Sequence, residues 1–154
     1  MEKIELKKLL TVEIGAKQTV EIAGMIDNLG LSEVASDEKV SGKITIVKFD
    51  ETLFVKGDFV AEVNLICDRC LEIFEAHIPF HLERDYNINR SRESVEDLFV
   101  DKFGRIDLTE PIREEIILNI ALHNFCKNDC LGICQGCGVN INQKKCCCKI
   151  KKKE

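Results

Sequence analysis

The cysteines are the residues of this sequence whose number and spacing indicate chemistry. There are nine of them among 154 residues. An odd, clustered set in a chain without a visible export signal disfavours a disulfide framework, because the cytosol keeps thiols reduced. Metal ligation by thiolates is therefore the favoured interpretation. In chain order the cysteines are Cys67, Cys70, Cys126, Cys130, Cys134, Cys137, Cys146, Cys147 and Cys148.

Cys134 and Cys137 have the spacing of one half of a zinc knuckle. Two thiolates separated by two residues on a tight turn can bind one side of a zinc ion, which takes four ligands in tetrahedral geometry. Gly136 relieves the backbone where main-chain amides fold toward sulfur. We expect Cys146 and Cys148 to supply the other two ligands.

Cys67, Cys70, Cys126 and Cys130 provide a second set of four thiols. The first two lie at the tip of a predicted hairpin, which is another place where zinc knuckles occur. Nine cysteines thus make two sets of four and leave Cys147 over. Because only the fold can bring residue 67 near residue 126, this grouping is a hypothesis about proximity, and a single metal site is its alternative.

Other interpretations of these residues stay open at the level of sequence. Cys67 and Cys70 alone have the spacing of a redox dithiol, which would make the protein a thiol oxidoreductase. His123 could replace one thiolate in the first site, although a lone histidine ending an amphipathic helix is more often a cap or a packed side chain. Iron–sulfur chemistry is the alternative to zinc, since thiolates suit both. Residues 130–137 match the spacing of radical S-adenosylmethionine enzymes, which need a large α/β barrel that this short chain does not offer.

No other motif of the sequence indicates catalysis. It contains no Gly-rich phosphate loop, no nucleophile elbow and no His-Glu-x-x-His helix. A site made of four thiolates is closed and leaves no open position for water or substrate. The sequence therefore predicts structural metal sites in a protein that is not an enzyme. A zinc-regulated binding module, in which loss of metal releases a partner, is a further alternative.

The formal net charge of −5 is unevenly distributed along the chain. Residues 144–154 carry +5, and the other residues carry −10. The basic end is a candidate contact for nucleic acid, although it also suits a solvated terminus or a partner for anionic thiolate sites. Its lysines are Lys144, Lys145, Lys149, Lys151, Lys152 and Lys153. The sequence shows no signal peptide and no apolar run long enough for a membrane span, so we expect a cytoplasmic protein.

The clearest predicted element is a long hairpin that presents Cys67 and Cys70 at its tip. Apolar and polar residues alternate over 59–66 and again over 73–82, which is the period of half-buried strands. Pro79 falls on the outward set and indicates an edge strand, because proline cannot donate to a strand ladder. Residues 83–98 are polar and are expected to form a connection.

One amphipathic helix is predicted over about 109–124. Asp107 to Glu110 has the pattern of a capping box, and an isoleucine stripe follows it. The expected fold is α+β, with a twisted antiparallel sheet or a partly closed barrel. We expect a mainly β domain over 1–125 and a cysteine-rich metal-binding tail over 126–154 that packs on this domain.

Three segments occur in an order that identifies a resemblance over nearly the whole chain. They are the hairpin tip CDRCLE (67–72), the helix start IDLTEPIREEI (106–116) and the cysteine tail (126–148). Together they resemble the bacterial large ribosomal RNA subunit accumulation protein family (YceD), and the tail is similar to its cysteine-rich branch.

The resemblance implies participation in building the large ribosomal subunit, through accumulation or processing of its rRNA. The implied partner is a large-subunit ribosomal protein or pre-rRNA, and no catalytic activity is implied. The run Cys146-Cys147-Cys148 departs from the family pattern, in which a residue other than cysteine separates two cysteines. This departure leaves the choice of ligands in the second pair open.

Overall fold

The structure is a computed structural model that describes residues 3–26, 38–89, 98–146 and 148. Strands dominate the described residues, and two helices accompany them. The elements are β1 (Ile4–Glu5), α1 (Lys7–Thr11), β2 (Lys17–Ile26), β3 (Glu38–Lys48), β4 (Thr52–Ile66), β5 (Ile73–Asn87), β6 (Leu98–Phe99), β7 (Arg105–Ile106) and α2 (Thr109–Asn119).

Five of the strands form one twisted sheet in the order β2-β3-β4-β5-β6. β2 and β3 pair antiparallel from Lys17↔Val47 to Ile26↔Glu38, and β3 pairs antiparallel with β4. β6 pairs with β5 in parallel, so the sheet is mixed rather than wholly antiparallel as predicted. The strand order is linear, and the sheet over the described residues is therefore open instead of the partly closed barrel that the sequence left as an alternative.

The alternation predicted for the two hairpin arms is confirmed. Buried and more exposed residues alternate along β4 and β5, and Phe59 stacks on Phe80 with ring centroids 5.2 Å apart. The polar connection predicted from residue 83 onward is wrong at its start, because β5 continues to Asn87. Tyr86 keeps the strand period there and is buried, and its hydroxyl donates a hydrogen bond of 2.6 Å to the main-chain oxygen of Asp107. Residues 90–97 of that connection lie outside the described residues.

The predicted helix is present at the expected position, but it is shorter than predicted, and a second helix, α1, was not predicted. α2 begins at Thr109 as expected and buries Ile112 and Ile116, but it ends at Asn119 instead of near residue 124. The Asn119 side chain donates to the carbonyl oxygen of Glu115 and so competes with the helix ladder at this end. The predicted capping box does not form at the N-cap, which is Leu108 and offers no side-chain bond.

The chain divides into two compact units, each built from two stretches of sequence. Unit 1 contains residues 1–63 and 77–120, and unit 2 contains residues 64–76 and 121–154. The predicted boundary between residues 125 and 126 stays a prediction. No helix within the described ranges is long and apolar enough to cross a membrane.

The largest fully buried side chains belong to unit 1. They are Tyr86, Leu6, Ile26, Ile44, Ile46, Leu53, Leu82, Ile106, Leu108, Ile112, Ile116 and Val40. These positions supply strands and helix with an ordinary apolar core, which unit 1 is large enough to sustain. The buried side chains of unit 2 are of a different kind, as described below.

Candidate metal centres

Sulfur takes the place of hydrocarbon in the interior of unit 2. Among its described residues, the buried side chains are those of Cys67, Cys70, Cys130 and Cys134. Phe74 packs against the first three, as does Cys126. A unit of 47 residues seldom folds on an apolar core alone and usually needs disulfides or metal as well. The chemistry of this core therefore decides whether the unit is stable.

Cys67, Cys70, Cys126 and Cys130 form the first group, which we term the inner centre. Their sulfur atoms all lie within 4.8 Å of one another. The Sγ atoms of Cys67 and Cys130 are 3.8 Å apart, and those of Cys70 and Cys126 are 3.7 Å apart. Sulfur ligands at about 2.3 Å from a tetrahedral zinc ion would be separated by about 3.8 Å. The spacing therefore fits four thiolates around one ion.

The tip of the hairpin positions the first two thiols of the inner centre. The Cys67 N–H donates to the carbonyl oxygen of Glu72, and the Leu71 N–H donates to the carbonyl oxygen of Cys67, both at 2.9 Å. Leu71 adopts φ 60°, a left-handed conformation uncommon for a leucine. This tight turn brings Cys67 and Cys70 to one side of the tip, where both are buried.

Cys134, Cys137, Cys146 and Cys148 form the second group, which we term the outer centre. Their sulfur atoms also lie within 4.8 Å of one another. The Sγ atom of Cys146 is 3.1 Å from that of Cys134 and 3.6 Å from that of Cys137. Cys137 and Cys148 are exposed, in contrast to the mostly buried inner centre. The two groups are the two sets of four that the spacing predicted; that either holds a metal stays a prediction.

A knuckle of main-chain hydrogen bonds shapes the outer centre. The Gly138 N–H donates to the carbonyl oxygen of Cys134 at 2.8 Å, and the Cys134 N–H donates to that of Val139 at 2.8 Å. Gly138 has φ +73°, which glycine adopts without steric cost. The Gly136 N–H also points to the Cys134 sulfur at 3.4 Å, as expected where amides fold toward a thiolate.

Four polar residues support the centres and were not predicted as site residues from the sequence. The Asn142 amide donates to the Cys130 sulfur at 3.4 Å, and its Oδ1 accepts from the Leu131 N–H at 2.9 Å. The Glu72 carboxylate accepts from the side chains of Asn140 and Gln143 at 3.2 and 3.0 Å. The motif Asn140-Ile141-Asn142 was the available signal, because asparagines at this spacing form turns in which the side chain bonds the backbone.

The thiols of the inner centre differ widely in their pKa values. Burial raises the pKa of Cys67, but the main-chain N–H groups of Cys126, Cys70 and Arg69 outweigh burial and lower that pKa to about 6. Burial raises the pKa of Cys126 to about 12, and the neighbouring thiols add to this rise. Cys67 therefore loses its proton readily, and its negative charge makes deprotonation of the neighbouring thiols less favourable. A cation between the sulfurs would remove that penalty.

The thiols of the outer centre also differ widely in their pKa values. The thiol of Cys146 donates toward Cys134 and, with the N–H groups of Cys137 and Gly136, lowers the pKa of Cys134 to about 6. The same contact raises the pKa of Cys146 to about 12. The pKa of Cys148 is also raised, chiefly by Cys137. Both centres therefore have the donor set and the spacing for a thiophilic cation.

The other predicted site residues lie apart from these sulfurs or outside the described residues. His123 belongs to neither group, and its Nδ1 lies 3.6 Å from a carboxylate oxygen of Asp68. The cysteines over 130–137 are divided between the two centres, so the spacing typical of radical enzymes does not bind one cluster. Lys144 and Lys145 are exposed. Cys147, Lys149, Lys151, Lys152 and Lys153 lie outside the described residues.

The fold and the two thiol groups define a mixed-sheet protein with a small unit whose core is made of cysteine knuckles. A family model described as "Large ribosomal RNA subunit accumulation protein YceD" matches residues 55–154. The chain belongs to this family. The match contains the hairpin, α2 and all nine cysteines.

The chain is also similar to curated relatives, one of which carries the family name. The chain is 34% identical to "Large ribosomal RNA subunit accumulation protein YCED homolog 1, chloroplastic" of Arabidopsis thaliana, over all of this chain and 57% of the relative. It is 28% identical to an uncharacterized protein of Mycobacterium tuberculosis, over 73% of this chain and 58% of that protein. An uncharacterized protein of Mycobacterium leprae is 24% identical over 64% of this chain and 47% of its own length. The chain thus spans about half the length of the curated relatives it matches. No solved structure matches it significantly.

Proposed function

We propose that this protein is a non-enzymatic factor in biogenesis of the large ribosomal subunit, where it supports accumulation or processing of large-subunit rRNA. The observation that carries the proposal is the family match over residues 55–154. The name of the chloroplast relative supports the same role. A large-subunit ribosomal protein or pre-rRNA is the proposed partner, with the basic residues at the end of the chain as a proposed RNA contact. A cytoplasmic location is proposed with it.

We further propose that each centre holds one zinc ion with a structural role. Cys67, Cys70, Cys126 and Cys130 would hold the inner ion, and the four thiols of the outer centre would hold the other. The sulfur–sulfur distances of 3.8 and 3.7 Å in the inner centre, the grouping of four thiols within 4.8 Å in each centre and the thiol core of unit 2 support this assignment. Four protein ligands close the coordination shell, so such an ion contributes folding free energy and takes no substrate.

Burial weighs against a thiol oxidoreductase that uses Cys67 and Cys70. Cys67 is 0% exposed, whereas a reactive thiol must reach its substrate. Each of the two sulfurs also lies within 4 Å of a thiol from the 126–130 segment, an arrangement that a two-thiol redox pair does not need. Alkylation by iodoacetamide separates these functions: zinc ligands resist it until a chelator is added, and a redox dithiol reacts without one.

Depletion of the protein from cells tests the proposed role. We expect sucrose gradients of the depleted cells to show fewer large subunits, and blots to show unprocessed or reduced large-subunit rRNA. Expression of the wild-type chain should restore both, and expression of the Cys67→Ser variant should not. Normal large-subunit levels and normal rRNA after depletion would show that the proposal is wrong.

A further inference from the structure

A cation and two aromatic rings form an exposed stack in unit 2, outside both centres. The guanidinium carbon of Arg69 lies 4.2 Å from the ring centroid of Phe125. The rings of Phe125 and His123 are nearly parallel, at 14°, with centroids 6.4 Å apart. The His123 side chain is 79% exposed and Phe125 is 39% exposed. We term these three residues the aromatic platform.

The platform is held in place by the hairpin tip. The Asp68 N–H donates to the carbonyl oxygen of Asn124, and the Asn124 N–H donates to the Asp68 carboxylate, both at 2.8 Å. The Asn124 side chain also bonds the carbonyl oxygen of Ala121 at 3.1 Å. These bonds fix the residue between the two rings, so the rings are presented with little conformational freedom left to lose on binding.

The platform carries the positive charge of Arg69, and the Asp68 carboxylate lies 3.6 Å from Nδ1 of His123. The described hydrogen bonds of Arg69 go to the carbonyl oxygens of Asn128 and Cys130, at 3.3 and 3.2 Å. The described residues of unit 2 include four Lys and Arg and four Asp and Glu, whereas the sequence of unit 1 has 14 Lys and Arg against 22 Asp and Glu. The cation of the platform is Arg69, which lies against the face of an aromatic ring. A partner with anionic and planar groups fits a guanidinium beside two exposed rings better than a cationic partner does.

We infer that Arg69, His123 and Phe125 bind an unpaired stretch of RNA, with a base stacked against the rings. This inference rests on the proposed function, which gives pre-rRNA as one of two proposed partners. Single-stranded RNA exposes the faces of its bases to aromatic and guanidinium planes, whereas a duplex hides them. Arg69 is placed to stack on a base or to contact a phosphate.

The experiment uses the full-length, metal-loaded protein and an unstructured RNA oligonucleotide that contains 2-aminopurine. Stacking of this base on a ring quenches its fluorescence, and anisotropy of an end label gives the Kd. We expect quenching with the wild-type chain and weaker binding to a duplex of equal length. His123→Ala and Phe125→Leu should each relieve quenching, and together they should weaken binding by about 10-fold or more, or about 1.4 kcal/mol.

Phe103→Leu is the matched control. Phe103 is 53% exposed and has Lys102 and Arg105 within 5.0 Å of its ring centroid, but it lies in the acidic unit 1. The Phe103→Leu substitution should leave both the quenching and the Kd unchanged. Metal content is measured for every variant, and if Phe125→Leu loses metal, the highly exposed His123→Ala decides the question.

The outcomes separate this inference from the proposed function. RNA binding that is unchanged in the His123 and Phe125 variants overturns the inference, as does equal sensitivity to Phe103→Leu. A protein that binds no RNA but is captured with large-subunit ribosomal proteins also overturns the inference, and the proposed function stands. Normal rRNA after depletion contradicts the proposed function, whatever the oligonucleotide shows.

Discussion

Loss of the inner centre should destabilise the zinc-loaded protein more than loss of the outer centre. The perturbations are Cys70→Ser and Cys137→Ser, one ligand from each group. Cys70 is joined through the inner centre to Cys126, 56 residues away, whereas Cys137 is joined to Cys146, only nine residues away. A cross-link restricts the unfolded chain more when it closes a longer loop.

The loop lengths set the size of the effect. With the loop-closure relation used for disulfides, a 56-residue loop corresponds to about 4 kcal/mol of stabilisation and a nine-residue loop to about 2.5 kcal/mol. We therefore expect the Cys70 variant to lose about 1.5 kcal/mol more than the Cys137 variant. Urea unfolding of the loaded proteins measures the two free energies, and elemental analysis should find one zinc fewer in each variant.

Cys147→Ser is the control for both measurements. It should retain two zinc ions and the wild-type free energy of unfolding, because Cys147 is the cysteine left over from two sets of four. Equal destabilisation by the two ligand variants, or a larger loss for Cys137→Ser, would refute the loop-closure reasoning. If either ligand variant still binds two zinc ions, the substituted cysteine is not a zinc ligand.

Three further predictions concern unit 1. Ile116→Ala should lower the free energy of unfolding by about 2–5 kcal/mol, because the side chain is fully buried; Leu118→Ala, at a position 75% exposed on the same helix, should change it by less than about 0.5 kcal/mol in the same urea titration. Tyr86→Phe should cost about 1–2 kcal/mol in that assay, because it leaves a main-chain oxygen without the 2.6 Å hydrogen bond of the hydroxyl. NMR titration should find the pKa of His81 above its usual 6.5, because Asp58 and a second carboxylate hydrogen-bond the ring. The stabilisation by this contact is complete below about pH 6.5 and is lost as the pH rises through the raised pKa; Asp58→Asn should lower the pKa, and an unshifted pKa in the wild type would contradict the contact.

Strand positions were predictable because period-two alternation is a local property of the chain. The arms that carry Phe59 and Phe80 were predicted in this way, and the start of α2 at Thr109 was predicted from the capping-box pattern of residues 107–110 followed by an isoleucine stripe. The extension of β5 to Asn87 was missed, because charged residues on the exposed face made this stretch look like a connection. Its parallel pairing with β6 depends on contacts that no local pattern contains.

The aromatic platform shows a second limit of sequence reasoning. Arg69 and Phe125 are 56 residues apart, and neither belongs to a recognisable motif with the other. His123 was noticed as a possible ligand, but its neighbour in the structure is a carboxylate of the hairpin tip. A stack of this kind becomes visible only when the two segments are placed side by side.

The sequence by itself determined that the candidate sites are made of paired thiols. Two cysteines separated by two residues on a tight turn place their side chains on the same side of that turn. Which thiols share a centre was decided by the tertiary structure. Cys130 is four residues from Cys134 along the chain, yet its sulfur joins that of Cys67, 63 residues away. The reason is that the hairpin tip carries only two cysteines, so a group of four thiols there needs two more from a distant segment. Local spacing supplies pairs, and only the folding of the chain joins those pairs into sets of four.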